Sequence, residues 1–107
     1  MAAQEKQIGD AIQDIRTAKK NGALYISIVE QSEDLFRVYF KNGDIYHIRY
    51  GSALGKDCLD LIEFYTLYSA TWFDGITSPG DIKSTDLPSM DQIIGNLKKL
   101  DKKLKVR

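Results

Sequence analysis

The run from Leu35 to Leu61 constrains the fold more than any other part of the chain. Two alternating segments flank Lys41-Asn42-Gly43-Asp44, and Gly51, Gly55 and an amphipathic helical stretch follow. Alternation over this length is the mark of strands with one buried face, and Asn-Gly is a strong hairpin signal. Two registers compete. A two-residue Asn42-Gly43 turn would pair Lys41 with Asp44 and set Val38 beside His47 and Phe36 beside Arg49, leaving both faces mixed. A three-residue loop with Gly43 left-handed in a bulge pairs Phe40 with Asp44, Val38 with Tyr46 and Phe36 with Ile48. Phe36, Val38, Phe40, Tyr46, Ile48 and Tyr50 then share a dry face, and Arg37, Tyr39, Lys41, His47 and Arg49 share a wet one. Register follows the hydrophobic pattern where one face is buried, so the bulged turn is expected.

Upstream, Ile8, Ala11, Ile12, Ile15 and Ala18 recur at the spacing of one helical face, ended by Asn21-Gly22. Ala23 to Glu30 reads as a strand and Gln31 to Asp34 as a polar turn. Downstream, Leu54, Cys58, Leu61, Ile62 and Tyr65 form the stripe of a helix from about Gly55 to Tyr65. Tyr68 to Phe73 predicts a short fourth strand, and Ile76 to Asp86 a loop. Pro88 suits the first turn of a last helix capped by Asp86 or Leu87, whose apolar face runs through Met90, Ile93, Ile94, Leu97, Leu100 and Leu104. The expected fold is α+β: one domain over residues 1–107, an antiparallel three- to four-stranded meander packed by helices in the order α-β-β-β-α-β-α.

Chemical signals are sparse. Lysine plus arginine equals aspartate plus glutamate at fifteen each, so no global field favours nucleic acid or anionic lipid. No apolar run reaches the roughly 18 residues that would span a membrane, Met1 to Gln7 are mostly polar or small, and a lone Cys58 fits a reducing compartment. A cytoplasmic location, with neither nucleic acid nor membrane as partner, is therefore expected. His47 is the single histidine and reads as a polar strand position; Cys58 reads as a packed small residue; Asp57, Asp60 and Glu63 read as a solvated helix face. No phosphate loop, nucleophile elbow or paired-histidine motif occurs, so no catalytic residue, cofactor or metal is expected. The basic run from Lys98 to Arg107 complements the negative end of the last helix, with docking of an acidic partner as the alternative. Gly95 within that helix hints at close helix approach, inside the chain or across a homodimer.

Arg37, Tyr39, His47 and Arg49 combine two guanidiniums with an aromatic ring on rigid strands, and are the candidate partner-binding surface. The alternative is a small-ligand sensor whose pocket is lined by Tyr25, Tyr39, Tyr46 and Tyr68.

The order of elements carries one further reading. A helix ending in Lys20-Asn21-Gly22, the two following strands, Asn42-Gly43-Asp44-Ile45, Gly51, Gly55-Lys56-Asp57-Cys58-Leu59 and Trp72-Phe73-Asp74-Gly75 succeed one another from about Ile8 to Leu100. This resembles the PATAN domain, a bacterial family with short glycine and apolar motifs in that order. Ile48 stands where the family often has a small residue, Cys58 replaces an alanine, and the last helix lacks the family's acidic and arginine-rich ending. The resemblance implies a non-enzymatic protein-interaction module in two-component or motility signalling that engages a response-regulator receiver domain.

Overall fold

A computed structural model describes residues 4–107. Its strands are β1 (Gln4–Gln7), β2 (Gly22–Ile28), β3 (Leu35–Lys41), β4 (Asp44–Tyr50), β5 (Ala53–Leu54), β6 (Leu67–Asp74) and β7 (Lys103–Val106). Its helices are α1 (Ile8–Thr17), α2 (Lys56–Leu61) and α3 (Met90–Leu100). The class is α+β, as expected, but the sheet is a mixed one of seven strands in the order β1-β7-β6-β2-β3-β4-β5, not a three- to four-stranded antiparallel meander.

The difference lies in short or polar segments. Gln4–Gln7 has no apolar alternation, yet it pairs antiparallel with β7. Leu104, which continues the helical spacing of Leu100, is instead a strand residue: Asp101 turns left-handed at φ 50°, ends α3, and the chain runs on parallel to β6. β6 is not a peripheral addition; it flanks β2 along nearly its whole length.

In the hairpin the expected register is overturned. Lys41 pairs with Asp44 and Phe40 with Ile45, across a two-residue turn with φ of 53° at Asn42 and 84° at Gly43. The neighbouring turn holds it there, because the Asn42 amide donates to Asn21 Oδ1 (2.8 Å) and the Gly43 amide to the Lys20 carbonyl (2.9 Å). An extra residue is still present, but it is Tyr46. Tyr39 pairs with His47 and Val38 with Ile48, so a bulge within β4 restores the apolar alternation that a regular ladder would have lost. Phe36, Val38, Phe40 and Ile48 join the core as expected, Ile45 replaces Tyr46 there, and Tyr46 stands on the opposite face from Val38, within 6.3 Å of the Tyr39 ring.

Three helices cover the inner face of the sheet, α2 through Cys58. Ile8, Ile12 and Ile15 of α1 and Ile93, Ile94 and Leu97 of α3 are buried with Leu24, Ile26, Phe36, Val38 and Phe40. Where α1 and α3 meet, the tight position is Gly9: an added Cβ would lie 2.9 Å from the Lys98 backbone nitrogen. Gly95, expected at a close approach, faces open space. The apolar residues of α3 are thus used inside the chain, which removes the surplus that motivated self-association through this helix. Its cap is Ser89, whose hydroxyl accepts from the Gln92 amide at 3.2 Å, and neither Asp86 nor Leu87. Asp86 reaches across instead to the start of α2, accepting from the Lys56 amide at 3.2 Å.

Two contrasts test this packing by denaturant unfolding. Gly95→Ala should stabilise by ~0.5–1 kcal/mol, since the methyl meets nothing and helix propensity improves. Gly9→Ala should destabilise by ~1–3 kcal/mol through overpacking. Phe40→Ala, at a site 2% exposed, should cost ~3–5 kcal/mol, whereas Arg37→Ala should stay within about 1 kcal/mol.

Candidate functional site on the outer face of the hairpin

Because side chains alternate across a strand, burial of Phe36, Val38, Phe40 and Ile48 turns Arg37, Tyr39, His47 and Arg49 to the other face. The ladder brings the four together as two direct cross-strand pairs, Arg37 opposite Arg49 and Tyr39 opposite His47. This much was legible in the alternation. Their exposure was not: Tyr39 is 2% and His47 3% accessible, so two of the five residues expected on the wet face are covered.

The cover is the segment 76–86, expected only as a loop. It is anchored on the bulge. The Ser84 amide donates to the Tyr46 carbonyl (2.8 Å), the Ser78 amide to the Tyr46 hydroxyl (3.0 Å), and Ser84 Oγ lies 2.9 Å from His47 Nδ1. Ser78, itself buried, closes the segment by donating to the Ile82 carbonyl at 2.7 Å. Beneath this cover the His47 ring stacks on Tyr39 at 5.8 Å, and Tyr25 meets Tyr39 edge-on at 6.4 Å. Burial, helped by the neighbouring Tyr25 phenol, pushes the Tyr39 hydroxyl up to about 12; burial and the Arg49 charge lower the His47 imidazole below its usual range.

The arginines remain accessible. Arg37 lies over the Tyr25 ring at 5.5 Å and 3.6 Å from Asp34, while Arg49 donates through Nε to the Gly51 carbonyl at 3.1 Å. Phe73, 41% exposed, leans on Tyr25 at 4.9 Å and extends the patch onto β6. Tyr25 and Phe73 are the members that sequence reasoning did not assign to this surface; the signal was their outward parity on β2 and β6, which needed the pairing of those strands to be read.

The other candidates separate. Tyr25, Tyr39, Tyr46 and Tyr68 do not line one cavity: the first three pack on one another, and Tyr68 is half exposed beside Lys105. A groove of about 340 Å³ between α2 and α3 is bounded by Leu59, Glu63, Ile93, Leu97 and Lys99 and holds no aromatic ring. The basic C-terminal run is divided, with Lys98 3.9 Å from Asp10, Lys102 donating to the carbonyls of Glu63 and Tyr65, and Lys103 and Lys105 exposed on β7. Cys58 is buried, its thiol donating to the Ala53 carbonyl at 3.3 Å and pushed up to about 11 by burial. Asp57, Asp60 and Glu63 are exposed. Among the described residues no group of three or more His, Cys, Asp or Glu side chains is placed to hold a metal, and no helix is long and apolar enough to cross a membrane.

Comparison with known proteins found no matching family model, no matching curated protein and no matching solved structure.

Two measurements check this geometry. Cys58 should resist aromatic disulfide reagents at pH 8 in the native protein and react at the free-thiol rate once unfolded in urea. Since the folded pKa of His47 lies below its unfolded value near 6.5, the unfolded chain binds more protons as pH falls through that value. His47 therefore contributes stability that is present above about pH 6.5 and lost below it, and His47→Gln should flatten that part of the stability profile.

Proposed function

We propose that this chain is a non-enzymatic protein-interaction module of the PATAN type, acting in bacterial two-component or motility signalling, and that its partner engages the outer face of the β3–β4 hairpin. The observation that carries this reading is the Arg37–Arg49 cross-strand pair. Like charges directly opposite in a ladder cost stability, and a partner supplying negative charge would relieve that cost. In this reading Tyr39 and His47, being buried, support the surface from below, while the two arginines with Tyr25 and Phe73 make the contact. Arginine and aromatic side chains on rigid strands are the types that dominate interface energetics. The resemblance in element order supplies the kind of partner: a receiver domain, whose acidic phosphorylation region complements the cations.

The test is a titration of a purified receiver domain against the labelled chain, with and without the double variant Arg37→Ala/Arg49→Ala. Binding should weaken at least about tenfold in the variant and fall steadily between 50 and 500 mM salt, as about 1.4 kcal/mol of charge-assisted contact requires. Unchanged affinity with an intact fold would place the contact elsewhere, first on the lysine-bearing C-terminal segment.

A further inference from the structure

Beside the hairpin the segment 76–86 leaves a cavity of about 260 Å³, bounded by His47, Arg49, Ser52, Leu54, Pro79 and Ile82. No carboxylate lines it. Its floor holds a buried imidazole whose Nδ1 is engaged by Ser84 Oγ, and no protein group among the described residues bonds the Nε2. When the Ser84 hydroxyl donates to Nδ1, the neutral ring carries its proton on Nε2 and is a donor. Arg49 uses only Nε, on the Gly51 carbonyl, which leaves its terminal nitrogens for an acceptor. Around the mouth Leu54 and Ile82 stand 50% and 53% exposed, apolar surface that a ligand would cover.

We propose that this cavity is a binding site for a carboxylate carrying a small branched apolar group, the carboxylate held by the Arg49 guanidinium and His47 Nε2–H and the apolar group by Leu54, Pro79 and Ile82. A planar acceptor suits the guanidinium fork, and the second donor, fixed by Ser84 and by stacking on Tyr39, sets its orientation. A small apolar site with a few convergent polar groups is the usual form of a ligand pocket. The carboxylate has two possible sources, a free small acid or an acidic side chain next to an apolar one on a docked protein. Arg49 is shared with the proposed partner surface, but the small-ligand titration needs no receiver domain, so its failure is distinguishable from failure of the partner reading.

The test uses the full chain and its single histidine as the reporter. Imidazole and guanidinium NMR signals are followed during titration with sodium isobutyrate, with isobutyramide as the neutral isostere, and with a blocked aspartyl-leucine dipeptide. Saturable shifts of His47 and Arg49 with a carboxylate and none with the amide support the site; tighter binding of the dipeptide than of isobutyrate assigns it to a protein side chain, and the reverse to a free acid. Arg49→Gln should weaken binding about tenfold, and Ile82→Trp, at an exposed position, should abolish it by filling the cavity. Equal response to the amide, absence of shifts with both carboxylates, or full affinity in both folded variants would overturn the proposal.

Discussion

The bulge at Tyr46 is the feature on which the rest of the arrangement depends. A tight Asn42-Gly43 turn is held in place by the chain leaving α1, and a regular ladder beyond it would send Ile48 and Tyr50 outward. One extra residue corrects the parity. It keeps Ile48 and Tyr50 on the same side as Ile45, Tyr50 with its ring 4.3 Å from Phe36. The residue displaced by the correction is an aromatic with a hydroxyl, and its carbonyl and phenol become the attachment points for the segment 76–86. Core registry and the covering of the outer face are thus set by a single irregularity.

The two faces of the sheet differ in what holds them. The inner face is closed by apolar burial under the three helices, with Gln7 tying α1 to α3: its Oε1 accepts from the Asp10 amide and its Nε2 donates to the carbonyls of Lys98 and Leu97. The outer face carries fewer apolar groups and is covered on the β3–β4 side by hydrogen bonds from serine and tyrosine. Hydrogen-bonded cover leaves gaps that a close-packed helix would fill, and a cavity of about 260 Å³ lies beside His47. With His47 and Tyr39 removed from water, Arg37 and Arg49 stay accessible on the hairpin, as do Lys41 and Asp44 beside its turn.

Much of the hairpin could be read from alternation. That Phe36, Val38, Phe40 and Ile48 face the core, and that Arg37, Tyr39, His47 and Arg49 share the other side, follows from period two whichever residue is inserted. Which residue is inserted did not follow, because Gly43 in a left-handed bulge and Tyr46 in mid-strand satisfy the same hydrophobic parity almost equally. The tie is broken by Lys20 and Asn21, more than twenty positions away from the turn they bond. Asp86 illustrates the same limit: adjacent to one helix in sequence, it serves the start of another in space.

What the sequence by itself determined is the part governed by local periodicity: the amphipathic α1 and α3, the strands β2 to β4 and β6, the buried place of Cys58, and the α+β class. Only the tertiary structure decided the pairing of β1 with β7, the return of residues 76–86 over Tyr46, and the burial of His47. The physical reason is that periodicity records which side chains must leave water. Backbone pairing and serine or tyrosine hydrogen bonds leave no period, and a polar segment such as Gln4–Gln7 becomes a strand by pairing its backbone with β7.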